Sequence, residues 1–298
     1  MEKETYVDIP DGDDIAQGDV IKIEEFDVEG HLRPEVDYGI VITADCDIAQ
    51  KKMGDHYTYV RVISAIRYLE EYWSVVSLKE KKKKIHGEAA QKIRKLYMEL
   101  NPEATLLSER DLDDWLSEST VESIVGNLDA QGKDKRQLEE LLEKIKTINT
   151  GLSVGRCLGA FVELKGMDGA KKENIEKEVA IALEKKLPEQ YVFLPSLANE
   201  EHIGAVVLLR DVRSMRQDLL SPNYAEYKLI DAPRKAVRIA RLIDNIKYSI
   251  TQKFGYLFSR IGHPVIFEKQ QKTTVELLCS DINYLSVAEA KAGTQDNV

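Results

Sequence analysis

The sequence has little cysteine and histidine, with three and five of these residues in 298. The odd number of cysteines and their wide separation argue against a disulfide framework and favour a reducing compartment. No Cys-x-x-Cys or His-x-x-x-His pair is present, although metal sites often use such local spacing. We therefore expect no metal and no other cofactor.

Long apolar runs and an excess of basic residues are also missing. No run approaches the roughly 18 apolar residues that span a bilayer, and residues 1–7 lack the apolar core of a signal peptide. A net charge of −10 argues against a broad nucleic-acid surface, because neutralising phosphates requires clustered Lys and Arg. We expect a cytoplasmic protein with no membrane contact.

One stretch, residues 38–50, joins an apolar run to a group of small polar residues. The β-branched run from Gly39 to Ile42 predicts a strand that is buried on both faces. Polar side chains follow where this strand leaves the core, and polar groups at the end of a buried strand are held rigidly, as in many functional sites. They are Thr43, Asp45, Cys46 and Asp47.

Two interpretations of this polar group are open. In the structural one, Asp45 or Asp47 caps a helix or turn that begins at Ile48, and Cys46 is a small buried residue. In the functional one, the group is an acidic pocket around a thiol. Two flanking carboxylates disfavour the thiolate, so a Cys nucleophile would need a base such as His56.

The remaining patterns predict an α+β protein in which a helical segment separates two β-rich parts. Alternation predicts strands over 18–23, 38–43 and 57–63, so residues 1–68 should form a small curved sheet or barrel. Helical periodicity marks residues 69–150 as an insertion. The predicted helices of the insertion are 89–100, 111–128 and 133–148. The Lys79–Lys84 run is either a solvated loop or helix start, or a phosphate-binding segment.

The second β-rich part should cover residues 151–287, followed by a disordered tail at 288–298. Its predicted strands are 156–164, 191–195 and 203–212, its short helix is 174–186, and 273–286 is a final strand or helix.

A long helix is predicted over 234–260, where it would close the second part with Phe254 and Phe258 buried. Its basic residues, Arg234, Arg238 and Arg241, should project outward. They either pair with acidic neighbours or form a docking strip, and we take them as candidate partner-binding residues.

Part of the N-terminal sequence resembles the MazF/PemK toxin family. The resemblance rests on Gly18-Asp-Val, Arg33-Pro34 and the Gly39–Thr43 strand. It implies an SH3-like barrel and RNA cleavage, with Arg33 and Thr43 at positions of family site residues. The long helical insertion, the short 30–37 loop and the greater length of the chain depart from that family.

A second resemblance covers more of the chain. Thr43-Ala-Asp-Cys-Asp-Ile48, Phe193-Leu-Pro195, Leu209-Arg-Asp-Val-Arg213 and the Phe254–Pro264 stretch are similar to an uncharacterised bacterial family of defence islands and mobile elements. This resemblance implies a bacterial accessory role.

The sequence favours a non-catalytic binding or regulatory component of a multi-protein bacterial system, with anti-phage defence as one setting. A protein partner is expected, because no well-spaced catalytic constellation is visible in the sequence. Two enzymatic alternatives stay open. One is a MazF/PemK-like endoribonuclease, and the other is a hydrolase that uses the Thr43–Asp47 group.

Overall fold

Helices and strands are mixed in the computed structural model, which describes residues 5–7, 9, 12–26, 37–100, 108–197, 203–259, 267 and 269–280. Its antiparallel sheet curls into half of a barrel, which confirms the α+β class and the curved sheet. The chain divides into two compact units, residues 1–250 and 251–298.

Eight strands of the described residues form one sheet. They are β1 (Tyr6–Val7), β2 (Asp19–Glu25), β3 (Asp37–Val41), β4 (His56–Ser64), β5 (Tyr191–Ser196), β6 (Ile203–Arg216), β7 (Leu220–Ser221) and β8 (Arg234–Leu242). Their order is β1-β8-β2-β3-β4-β6-β5, with antiparallel neighbours, and β7 lies parallel to β8. The five strands predicted between residues 18 and 63 and between 191 and 212 are confirmed.

The two β-rich parts of the sequence meet in this sheet. β2 pairs with β8 over seven positions, and β4 pairs with β6 over nine. One face carries a core that includes Ile21, Tyr59 and Ala236. Val20, Val60 and Val207 are also fully buried, so these strands are covered on both faces. In β3, the strand predicted to be buried on both faces, Ile40 and Val41 are buried.

Helices fill the chain between β4 and β5. They are α2 (Ala65–Tyr68), a π-helical turn (Leu69–Trp73), α3 (Ser74–Leu100), α4 (Glu109–Glu118), α5 (Val121–Asn127), α6 (Gly132–Val154), α7 (Cys157–Met167) and α8 (Lys172–Glu184). The predicted helices in this region are confirmed. The one predicted over 111–128 is divided into α4 and α5, and Thr120 caps α5. The Lys79–Lys84 run lies inside α3, so the expectation of a loop or helix start is wrong.

Residues 156–164 were predicted as a strand, and this prediction is wrong because they form α7. The buried residues Cys157, Ala160, Phe161 and Leu164 are spaced at i, i+3, i+4 and i+7. That spacing is the helical period, which the short apolar run concealed. Helices of the described residues therefore extend as far as Glu184, beyond the predicted end of the insertion at residue 150.

The single long helix predicted over 234–260 is also wrong. Residues 234–242 are β8, and α10 (Asp244–Ser259) follows it. β8 has β2 on one side and β1 and β7 on the other, and this pairing outweighs the local helical periodicity. Phe258 is 38% exposed and Phe254 is half-buried, so the expected burial of both rings is not found.

The remaining short elements connect consecutive strands of the sheet. They are α1 (Asp45–Ala49), a 3₁₀ turn (Gln217–Leu219) and α9 (Tyr224–Tyr227). Residues 269–280 are helical, which overlaps the element predicted over 273–286. The tail predicted over 288–298 lies outside the described residues.

Candidate functional site

The polar group at the end of β3 is tied into the fold. The Thr43 hydroxyl accepts a hydrogen bond from the backbone N–H of Thr58 at 2.7 Å. Asp45 accepts one from the backbone N–H of Gln17 at 2.7 Å, and its other oxygen lies 3.5 Å from Lys247 Nζ. These contacts hold the turn after β3 against the start of β2 and α10.

Cys46 and Asp47 lie in α1, and their side chains make no comparable contact with another element of the described residues. Ala44 is the N-cap of α1, so neither aspartate caps the helix through its side chain. Cys46 is exposed and its sulfur lies 3.8 Å from an Asp47 oxygen. His56 is exposed at the start of β4, and no contact among the described residues brings it to Cys46. The arrangement offers a thiol without a base beside it.

The arginines predicted to bind a partner are engaged within the fold. Arg238 is buried, where it lies 3.4 Å from an Asp19 oxygen and donates to the Asp13 and Asp14 carbonyls. Arg241 donates to both Asp19 oxygens. The expectation that these side chains project outward is therefore wrong for Arg238.

Arg234 keeps more exposure than the other two predicted arginines. It pairs with Glu25 at 3.2 Å, and its Nη2 donates to the Tyr59 hydroxyl at 3.1 Å. Arg33, which the MazF/PemK resemblance made a candidate site residue, lies outside the described residues.

A cluster that the sequence did not predict crosses the sheet beside Tyr59. We call it the arginine cluster, and its members are Asp37, Arg61, Arg67, Asp211 and Arg213. They come from the start of β3, the middle of β4, α2 and the middle of β6. Four separate elements therefore position its charges.

Asp37 is the common acceptor of the cluster. Arg61 donates to one of its oxygens from Nη2 at 2.7 Å and from Nε at 3.0 Å. Arg67 reaches the same oxygen at 3.5 Å, and Arg213 donates to the other oxygen at 3.2 Å. One carboxylate thus holds three guanidinium groups together.

Asp211 enters the cluster through an irregularity in β6. Val60 pairs with Val212, but the next residue of β4, Arg61, pairs with Leu208. Residues 209–211 therefore form a bulge, and bulges commonly re-aim side chains. Arg213 donates to the two Asp211 oxygens at 2.8 and 3.1 Å, and Arg61 lies 3.6 Å away.

The charges of the cluster support one another. Burial by itself would raise the pKa of Asp211, but hydrogen bonds and charge from Arg213 and Arg61 hold that pKa below its usual value. Hydrogen bonding to Asp211 raises the pKa of Arg213. Burial raises the pKa of the neighbouring Tyr59, so this hydroxyl stays protonated and can donate.

Arg213 retains hydrogen-bonding capacity. Its Nε, one Nη1 hydrogen and one Nη2 hydrogen serve Asp211 and Asp37, which leaves the second hydrogen of each Nη for another acceptor. Its side chain is 33% exposed, whereas that of Arg61 is 12% exposed. Arg213 is thus the member with N–H donors left for a carboxylate or phosphate.

A concave surface lies between α6 and α7. It is a groove of about 470 Å³ whose lining includes Gly151, Val154, Arg156 and Glu163. Charges of both signs line it, so it selects no class of ligand as clearly as the arginine cluster does.

The described residues contain neither a candidate metal cluster nor a candidate membrane span. No group of three or more His, Cys, Asp or Glu side chains is arranged there to hold a metal ion. Every helix in these ranges is too short or too polar to cross a membrane.

Comparison with protein families, curated proteins and solved structures found no match to this chain. The geometry of the site therefore has to be interpreted on its own. One sequence signal did point to the cluster, because the Asp-x-Arg spacing at 211–213 is visible in the chain. The cross-strand partners Asp37 and Arg61 have no such signal.

Proposed function

We propose that this protein is a non-catalytic binding component that recognises a carboxylate-bearing segment of a protein partner through the arginine cluster. The observation that carries the proposal is Arg213, which donates two hydrogen bonds to Asp211 and one to Asp37 and keeps two N–H hydrogens for a further acceptor. A guanidinium that is already fixed loses little rotamer entropy on binding, so pre-organisation favours recognition.

The charge of the site favours a small acidic feature over a nucleic acid. The cluster itself contains three arginines and two carboxylates, and Glu71 pairs with Arg67 at its margin. With Glu71 the site carries no net charge, so it offers the remaining N–H donors of Arg213 to a single acidic group and no positive field to a row of phosphates. A run of phosphates would meet the field of a chain that carries a net charge of −10.

Several finer features belong to the same proposal. We infer that the curled sheet is an SH3-like barrel and that the protein works in the bacterial cytoplasm within a multi-protein system, with anti-phage defence as the setting. The two sequence resemblances support these inferences. The endoribonuclease alternative and the Thr43–Asp47 hydrolase alternative become outcomes of the tests below.

The test begins with isolation of the partner from extracts of the source cells and titration of the purified pair. Arg213→Gln should weaken the complex at least about tenfold, because an interface arginine paired with a carboxylate commonly contributes more than 1.4 kcal/mol. Melting of the isolated variant should show that it remains folded.

Arg216→Gln is the matched control. Arg216 lies on the same strand and pairs with Asp218 as Arg213 pairs with Asp211, but it is 62% exposed and lies outside the cluster. Equal affinity of the wild type and Arg213→Gln would overturn the proposal. Specific cleavage of cellular RNA that disappears in Arg33→Ala would replace it with the endoribonuclease alternative.

A further inference from the structure

β6 extends further along the sheet than one of its two neighbours. On one side β4 pairs with it as far as Arg216, whereas on the other side β5 pairs only with Ile203–Leu208. One more hydrogen bond, from the Leu209 N–H to the Gln190 carbonyl at 3.0 Å, ends that contact. Beyond it, no described strand pairs with β6 on the side away from β4. We call this side of residues 212–216 the open edge.

The ladder between β4 and β6 determines which backbone groups face the open edge. The N–H of Gln217, just after β6, donates to the Asp55 carbonyl on the β4 side at 2.9 Å. Thr58, which pairs with Ser214, uses its N–H and its carbonyl for bonds to the chain that follows β3. Because the direction of these groups alternates along a strand, every second residue of β6 directs its N–H and carbonyl away from β4. These residues are Val212, Ser214 and Arg216.

The groups of the open edge are accessible. Val212 is 40% exposed, Ser214 and Arg216 are exposed as well, and no described residue forms a backbone hydrogen bond with their N–H groups. Unpaired N–H and carbonyl groups along a strand are a template for another strand. The same stretch is basic, since residues 210–216 contain three arginines and one aspartate. An acidic strand therefore complements it better than a neutral one.

We propose that the open edge binds an extended acidic segment of a protein partner, which joins the sheet as an additional strand beside β6. The inference rests on the proposed function, because Arg213 belongs both to the arginine cluster and to this part of β6. Every second side chain of an added strand projects to the face that carries Arg213. The Cβ of the residue opposite Arg213 would lie about 5 Å from the Arg213 Cβ, so a glutamate there extends toward the unused N–H hydrogens. The backbone bonds supply affinity, and the glutamate supplies specificity.

A synthetic peptide is the probe for the test. Its sequence is Thr-Thr-Val-Glu-Val-Thr-Thr with both ends blocked, and it reads the same in both directions, so its glutamate can face Arg213 in a parallel or an antiparallel strand. The comparison peptide has glutamine in place of glutamate. The full-length wild type should bind the glutamate peptide at least about tenfold more tightly than the glutamine peptide.

Hydrogen exchange of single backbone amides locates the bound peptide. On addition of the glutamate peptide, the amides that face the open edge should become protected, whereas those of Arg213 and Met215, which already face β4, should not change. The amides expected to change are those of Val212, Ser214 and Arg216. This measurement uses the wild type, so it decides the proposal whether or not a variant folds.

A matched pair of variants isolates the backbone contribution. Ser214→Pro removes only an N–H that points away from β4, a position where a strand tolerates proline, and should weaken binding of the glutamate peptide at least about tenfold. Ser214→Ala keeps the N–H and should bind like the wild type. Both variants are first shown to melt like the wild type.

Three results would overturn the proposal. They are no binding of the glutamate peptide, equal binding by Ser214→Pro and Ser214→Ala, and unchanged exchange of the three edge amides. Protection of these amides that rises with protein concentration without peptide would instead identify a second copy of the chain as the occupant. Arg213→Gln separates this inference from the proposed function. If the amides are protected but Arg213→Gln still prefers the glutamate peptide, the proposed function fails. If Arg213→Gln loses that preference while the amides stay unprotected, only the edge inference fails.

Discussion

Asp19 and Arg241 face each other across β2 and β8, with Arg241 Nε 2.5 Å from an Asp19 oxygen. Asp19 is fully buried, and Arg238, also buried, lies 3.4 Å from its other oxygen. The backbone N–H of Ala16 completes its hydrogen bonding at 2.8 Å. One carboxylate thus balances two arginines at the junction of three strands.

Removal of this carboxylate should destabilise the protein strongly. Asp19→Ala leaves Arg238 as a buried and poorly compensated charge, which typically costs about 3–5 kcal/mol. Denaturant unfolding measures the loss. Asp13→Ala is the control, since Asp13 also pairs with Arg241 but its side chain is 41% exposed, and it should cost under about 1 kcal/mol. Similar losses in the two variants would contradict this account of the junction.

Two glycines should respond to alanine in opposite directions. A Cβ on Gly39 in β3 would lie 2.5 Å from Tyr59 Cδ2 and 3.2 Å from an Ile21 carbon, so Gly39→Ala should destabilise by about 1–3 kcal/mol through overpacking. A Cβ on Gly87, inside α3, would meet nothing within 4 Å. Gly87→Ala should therefore stabilise by about 0.5–1 kcal/mol. Thermal melts of both variants test the signs, and a stabilised Gly39→Ala would show that the Tyr59 ring moves freely.

The two aspartates of α1 should differ in their contribution to stability. Asp45→Ala removes the acceptor of the Gln17 N–H and a neighbour of Lys247, and should cost about 1 kcal/mol. Asp47→Ala should change the free energy of unfolding by less than about 0.5 kcal/mol, because Asp47 caps no helix. Chemical denaturation of the pair distinguishes them. A folded Asp47→Ala protein that no longer binds the partner would favour a functional role for residues 43–47.

The helical part should lose stability in acid through Asp113. This carboxylate accepts from Lys82 at 2.5 Å and from Asn149 at 2.9 Å, and it lies 3.1 Å from His86 Nε2. Burial would raise the pKa of Asp113, but the hydrogen bonds from Lys82 and Asn149 outweigh burial and lower it. A lowered pKa means that the stabilisation is complete above the ordinary value of 3.8 and is lost as the pH falls below it.

Asp113→Asn tests this dependence. The variant should lose about 1–3 kcal/mol at neutral pH, where charged hydrogen bonds are removed. Between about pH 4 and pH 2, the free energy of unfolding of the variant should then fall less than that of the wild type. The melting temperature as a function of pH measures this difference. Asp114→Asn is the control, because Asp114 lies on the exposed side of the same helix. If the melting temperatures of Asp113→Asn and the wild type fall in parallel as the pH is lowered, Asp113 is not the cause of the stability loss in acid.

Much of the fold follows from local pattern in the sequence. Alternation located β2 and β4, and continuous apolar runs located β3, β5 and β6. The amphipathic repeat of α6 was equally clear, and Leu138, Leu142, Ile145 and Ile148 are buried, while Leu141 is half-buried. Pattern failed at α7 and β8. A short apolar run has no decisive period in α7, and pairing with β2 determines the conformation of β8.

The candidate site divides in the same way. The sequence by itself determined that polar residues follow β3, that Asp211 and Arg213 are two residues apart, and that lysines crowd residues 79–84. Tertiary structure decided which of these side chains meet. Asp37 is 176 residues from Arg213 along the chain, and the bulge in β6 helps to bring them to 3.2 Å. Lys81 lies above Phe161 only because α3 and α7 pack together. Contacts between distant residues depend on strand register and helix packing, and no local pattern in the sequence encodes those geometries.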